Sequence, residues 1–208
     1  MATETGFEIP AIEIDAFELT LVGDSPLIVH AWSDKAKKEI LDKQMKVAKT
    51  KMRAVRNPAG DFIDSLYWLT EKPKEPTMEA FYEALENGAE FGFPSVAFKA
   101  AAVSAGFRSG VTKNKTVPNS AFHINGDMVK INGTPTIRED MVRVGMGAAD
   151  LRYRGEFKEW SVTFQVRFNT AVFTIQQIIN LFNLGGFACG IGEWRPEKGG
   201  SFGMYHVV

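Results

Sequence analysis

From Trp160 to Phe168 the chain alternates strictly, with Val162, Phe164, Val166 and Phe168 on one side and Thr163, Gln165 and Arg167 on the other. A period of two puts the four apolar side chains on one face of a β-strand, which needs a core to cover it. The next segment narrows the choice further. Thr174-Ile175-Gln176-Gln177 is a capping-box pattern, and Ile175, Ile178, Ile179 and Phe182 make the inner face of a helix expected to stop at Gly185-Gly186. Next comes a loop carrying Gly190, Gly192, Gly199, Gly200 and Gly203, with Trp194, Arg195 and Lys198 among them, and a terminal strand from Phe202 to Val207. Glycines let a backbone approach a ligand closely, and Arg, Lys and an aromatic suit a sugar-phosphate chain and a base.

The first half repeats the cadence. Ala16 to Val22 alternates Phe17, Leu19 and Leu21 against Glu18 and Thr20, a first strand. After a turn at Gly23–Pro26, the apolar run Leu27 to Trp32 contains His30. Ser33 or Asp34 can cap a helix reaching about Arg56, with Asn57-Pro58-Ala59-Gly60 as its stop. On it, Leu41, Met45, Ala48, Met52 and Val55 form a packing stripe, and Lys46, Lys49, Arg53 and Arg56 a basic stripe that can meet anions.

Phe62 to Leu69 reads as a second strand or turn, Lys72 to Pro76 as a rigid linker, and Thr77 to Asn87 as a short acidic helix closed by Gly88. Ser95 is the expected N-cap of an alanine-rich helix that carries Lys99 and ends near Arg108. Residues 110–135, with turns at Asn125-Gly126 and Asn132-Gly133, predict an inserted hairpin, and Arg138 to Val144 and Leu151 to Arg154 predict strands.

Strand, helix, strand, insertions, then strand, helix, strand predicts an α+β fold: one domain over 1–208 with a ferredoxin-like, RRM-like antiparallel sheet and helices on one face. Its other face would be open, but the aromatic signature of classical RNA-recognition domains is absent. Hydrophobic residues make up 45% of the 208, enough for a real core. The net charge of −1 conceals polarity: residues 34–56 carry nine bases and three acids, whereas 61–90 carry eight acids and two bases. Such asymmetry can present a positive face to a polyanion or let copies stack. One cysteine, Cys189, excludes an intrachain disulfide and a thiolate metal cage. The opening residues lack a signal-peptide pattern and no apolar run is long enough to span a bilayer, so a cytoplasmic protein with no membrane partner is expected.

With these parts in place the sequence resembles the RAMP superfamily, which includes backbone subunits of CRISPR effector complexes and related guide-RNA processing nucleases. Phe93-Pro94-Ser95-Val96-Ala97-Phe98-Lys99-Ala100-Ala101 is similar to the family's Pro-Ser helix start with a basic residue a turn in, and Gly190 to Gly203 is similar to its glycine-rich loop. Glu193 and Glu197 depart from the pattern by putting acids where phosphates are expected. A stand-alone phage or mobile-element relative would fit the chain's size. The resemblance implies single-stranded RNA or DNA bound along a groove, homo-oligomers or filaments on the strand, and the 110–135 hairpin as a thumb reaching the next copy. Phosphate contacts are expected from Lys46, Lys49, Arg53, Arg56, Lys99, Arg195 and Lys198, with stacking by Trp194 at about 1–3 kcal/mol.

A catalytic alternative rests on His30, placed after the first strand where the superfamily's nucleases use a histidine for metal-independent RNA cleavage; equally, a lone histidine between Val29 and Ala31 reads as a core residue. His123 and His206 make no metal spacing, and no metal or other cofactor is expected. Gly199-Gly200-Ser201-Phe202-Gly203 matches a hydrolase elbow in letters only, because a strand follows where a helix is required. Neither a P-loop nor a dinucleotide fingerprint occurs. The remaining alternative is a structural protein whose glycine loop and hairpin meet a protein partner.

Overall fold

The computed structural model describes residues 11–32, 34–46, 55–144 and 147–208. In chain order the elements are β1 (Ile14–Gly23), β2 (Leu27–Val29), α1 (Asp34–Gln44), α2 (Pro58–Ser65), α3 (Met78–Glu86), β3 (Phe91–Pro94), α4 (Ser95–Arg108), α5 (Thr116–Ala121), β4 (Phe122–Ile124), β5 (Met128–Asn132), β6 (Pro135–Val144), β7 (Ala148–Phe157), β8 (Ser161–Asn169), α6 (Ile175–Ala188) and β9 (Tyr205–Val207). The fold is α+β, built on antiparallel sheets.

The strictly alternating stretch is β8, and it is central. The main sheet runs β3-β5-β8-β1-β9, with β4 also paired to β8 and every pairing antiparallel. β1 and β8 pair from Ile14↔Asn169 to Val22↔Ser161, which brings Leu19 opposite Phe164 and Leu21 opposite Val162. These side chains are buried beneath α4 and α6. Phe98 of α4 lies 5.5 Å from Phe164, and Phe182 of α6 lies 5.7 Å from it on tilted rings. Burying each such ring contributes about 1.5–3 kcal/mol, so this triple contact anchors the helices to the sheet. The opposite face carries Glu18, Thr20, Thr163, Gln165, Arg167 and His123; it is polar, with Thr20 and Thr163 sharing a 2.9 Å hydrogen bond. No Phe, Tyr or Trp is among them to offer a stacking platform.

Several local readings are corrected. Asn57-Pro58 starts a helix instead of ending one: the Asn57 side chain accepts from the Gly60 N–H and Pro58 takes the first helical position, where its missing donor costs nothing. Phe62 and Ile63 are therefore helical and buried in α2, not part of a strand. Ser95 is the first residue of α4 and not its cap; its hydroxyl donates to the Gly126 carbonyl at 2.6 Å. Leu41 in α1 and Met45 just after it are exposed, so the expected packing stripe covers nothing there; its members at 48 and 52 lie outside the described residues.

The 110–135 stretch makes no hairpin. It contains α5, and β4 and β5 both pair with β8 instead of with each other. Between Ile124↔Val166 and Ile131↔Val162 one side advances seven residues while β8 advances four. The surplus is a bulge at the Asn125-Gly126 turn, which also lets β5 pair with β3. The long hairpin is β6–β7, paired from Pro135↔Phe157 to Val144↔Ala148. With β2 it forms a second sheet, β2-β7-β6.

The capping box at Thr174 forms with both bonds, Gln177 N–H to Thr174 Oγ1 and Thr174 N–H to Gln177 Oε1. α6, however, runs through Gly185-Gly186 to Ala188. A Cβ at Gly186 would lie 1.9 Å from the Tyr205 carbonyl oxygen, and one at Gly185 would lie 2.8 Å from the Ala102 nitrogen. These glycines let α6 press onto α4 and β9; they are not a stop signal.

Candidate functional site

The glycine loop is held chiefly by its own backbone. Ile191 N–H donates to Gly203 O at 3.0 Å and Phe202 N–H to Trp194 O at 3.1 Å, while Glu193 N–H and Gly203 N–H reach Ile28 O and Pro26 O at 2.9 and 2.8 Å. A Cβ at Gly200 would meet Trp194 O at 1.7 Å, and one at Gly203, where φ is +66°, would meet Ile191 O at 1.9 Å. Close approach is the reason for these glycines, as the sequence suggested, but the group approached is the loop itself.

Facing this loop is the start of α4. Between them runs a groove of about 400 Å³. Its helix side is formed by Pro94, Ala97, Ala100, Ala101 and Ser104, small side chains that leave room above the backbone. The other walls are Tyr67 and Phe93, the loop residues Gly190, Gly192, Glu193, Arg195 and Glu197, and His30. The Pro-Ser helix start and the glycine loop, some ninety residues apart in sequence, thus border one groove.

His30 follows β2, whose three residues are all buried, yet its own side chain is 39% exposed. It is a groove residue, which corrects the core reading. It also lines a second, smaller cavity of about 170 Å³ that contains Arg56, Asp61, Asp150, Arg152 and Tyr153. Partial burial, followed by the field of Arg154, holds its imidazole below the ordinary histidine value, with Glu193 opposing. His30 is therefore mainly neutral at pH 7. Burial, and secondarily Glu193, pushes the Tyr67 phenol up.

The expected phosphate contacts fare differently. Arg195 borders the groove, but its guanidinium donates to Glu197 at 2.9 and 3.1 Å and to Gly192 O at 3.0 Å, so it braces the loop. Glu197 also receives Arg108 at 2.7 Å. Burial would raise the Glu197 carboxyl, but Arg195, Arg108 and Lys198 outweigh it and hold the group below the usual range. Lys198 is exposed beside it, and Trp194, at φ +53°, is 45% exposed.

Lys99 is turned away from the groove: its ammonium donates to Asn119 O at 2.6 Å, meets His123 Nδ1 at 3.3 Å and lies over the Phe122 ring. Arg56 is paired with Asp61 and Asp150 at 2.9 and 2.8 Å in the second cavity. Lys46 is exposed past the end of α1, and Lys49 and Arg53 lie outside the described residues. The basic set therefore does not converge; among the described members, only Arg195 lines the groove.

Sequence reasoning missed Tyr67, Glu193 as a groove acid, and Arg154 behind it. Arg154 is 2% exposed in β7; its Nη1 donates to Asp140 at 3.2 Å, its Nη2 lies 3.8 Å from Glu193, and its Nε has no partner among the described residues. Arg138 on β6 completes the cluster, binding Asp140 and Glu156 at 2.9 and 2.6 Å and lying 4.7 Å over the Phe202 ring of the glycine loop. The only sequence signal was the crowding of arginines at 138, 143, 152 and 154.

Among the described residues, no group of three or more His, Cys, Asp and Glu could hold a metal ion, and no helix is long and apolar enough to cross a membrane. No protein-family model matches the chain, and a search of curated proteins found no match.

Proposed function

We propose that this protein binds single-stranded nucleic acid, RNA or DNA, without cutting it, in the groove between α4 and the glycine loop. One observation carries the reading: the Pro-Ser helix start and the Gly190–Gly203 loop, the two motifs of the RAMP resemblance, border a single groove of about 400 Å³. Its alanine side leaves space for a sugar-phosphate backbone, with Tyr67 in the wall and Trp194 exposed on the adjoining loop as the aromatics for bases. The strand order β9-β1-β8-β4, with α4 and α6 over one face, is compatible with a ferredoxin-like core. Because α5, β4 and β5 belong to the body of the fold, the role of an arm reaching a second copy passes to β6–β7, whose Met141 is 75% exposed.

Few cations face the groove and two acids do, so the electrostatic share of binding is small for a nucleic-acid protein. Titrating labelled single-stranded RNA and DNA by fluorescence anisotropy at low and moderate salt tests this. Saturable binding with a shallow salt slope, weakened about two- to fivefold by Lys198→Ala, is expected. No binding at low salt would remove the reading in favour of a protein partner. The exposure of His30 in the groove favours one rival, a metal-independent endoribonuclease. Cleavage of the RNA by the wild type but not by His30→Ala would select it.

A further inference from the structure

Behind the groove wall sits a guanidinium with too few partners. Arg154 offers five N–H donors and, among the described residues, makes one hydrogen bond, to Asp140, although it is almost wholly buried. A buried charge in this condition is costly unless another anion completes its shell. The group now nearest its open side is the Glu193 carboxylate, 3.8 Å from Arg154 Nη2 and, through its other oxygen, 4.0 Å from His30 Nδ1. Both distances exceed a hydrogen bond by most of an ångström. The reason lies in the tether: the Glu193 N–H is fixed to Ile28 O, and Gly192 before it is packed against the same carbonyl. The carboxylate hangs between two donors and reaches neither, and it accepts no hydrogen bond among the described residues.

We propose that Glu193 is a stand-in for a ligand phosphate: the space between Arg154 Nη2 and His30 is an oxyanion seat, and a phosphoryl group entering the groove displaces the Glu193 side chain to occupy it. An untethered tetrahedral oxyanion can approach both donors at hydrogen-bond distance, where the tethered carboxylate cannot. His30 takes part as a neutral donor from one ring nitrogen, so the exchange needs no change of protonation. It is also near charge-neutral, one anion leaving Arg154 as another arrives. The backbone of the loop stays in place because its hydrogen bonds are main-chain and do not involve the Glu193 side chain. The other charged groups bordering the groove, Arg195 and Glu197, are already paired to each other and do not compete.

This deepens the nucleic-acid reading and, in its choice of ligand, rests on it; the source of the phosphate, a strand or a free ion, is separable by experiment. Wild type, Glu193→Gln, His30→Gln/Glu193→Gln and Glu159→Gln, a remote control for net charge, are compared by anisotropy with a labelled single-stranded RNA 12-mer. Each is also melted with inorganic phosphate or chloride at constant ionic strength. Glu193→Gln is expected to bind the RNA on the order of tenfold tighter than wild type and to gain more melting temperature from phosphate, with the double variant losing most of both gains. If wild type and Glu193→Gln bind RNA equally, the seat is wrong and the groove reading stands. If phosphate stabilises Glu193→Gln while no variant binds RNA, the seat stands and the nucleic-acid reading fails. An equal gain in Glu159→Gln, or no response to either probe, overturns the seat.

Discussion

The two sheets of this protein are assembled on opposite principles. In the main sheet the face toward α4 and α6 is hydrocarbon and aromatic ring, with Leu19, Leu21, Val162, Phe164 and Val166 buried together. In the second sheet the face toward the glycine loop carries charge: Arg138, Asp140, Arg154 and Glu156 alternate across β6 and β7, and Phe202 of the loop lies on the Arg138 guanidinium. Hydrophobic packing is non-directional and nearly indifferent to salt and pH, whereas a charged interface depends on partner geometry and on every ion that can enter it. The candidate groove lies against the second kind of surface. A hydrocarbon-packed body thus holds a loop that borders a charged sheet face.

The sharpest way to break this contrast is to remove a ring from the main sheet's core. Phe98 lies within about 6 Å of Phe93, Phe164 and Tyr205, and Phe98→Ala should cost about 3–5 kcal/mol in chemical denaturation with almost no dependence on added salt. A strongly salt-dependent loss would mean that the two sheets are not held differently. Arg154→Met comes next. It leaves Asp140 with Arg138 alone and Glu193 without its guanidinium, for an expected loss of about 2–4 kcal/mol, partly recovered when Glu193 is also made Gln. Additive losses in the double variant would dissolve the proposed coupling between the second sheet and the loop.

The smallest effect is the most local. The His30 imidazole is held below its ordinary value, so on acidification the unfolded chain takes up the proton first. Its contribution is undiminished above the unfolded value near pH 6.5 and falls as pH drops below it towards the lower folded value. An NMR titration of His30 should give a depressed midpoint, and Glu193→Gln should depress it further, since Glu193, ahead of Asp61, is the stronger of the two carboxylates that raise it. An upward move on that substitution would mean that the carboxylate does not face the ring.

What could be read before the structure was whatever neighbouring residues decide among themselves. The alternation of β8 and β1, the capping box at Thr174 and the alanine-rich α4 follow from period and local hydrogen bonding, and each is found where the pattern puts it. Asn57-Pro58 failed because the same pair that can end one helix also starts the next, and only the Asn57 contact to Gly60 distinguishes them. Residues 110–135 carried two good turn signals, yet β4 and β5 bind β8 because the main sheet offers more burial there than an isolated hairpin could.

The groove was half legible. The glycine loop and the Pro-Ser helix stand out in the sequence, and their shared border is a product of the packing of α4 against α6 over one sheet. The basic residues were visible as a type but not as a set, because several of their partners come from well along the chain: Asp150 for Arg56, Asn119 for Lys99, Asp140 for Arg154. Periodicity and capping are short-range and were determined by the sequence alone. Which charges are free, which glycines meet backbone, and that His30 lies open beside a buried arginine were decided by the tertiary structure, since burial and Coulomb energy depend on distance in space and not along the chain.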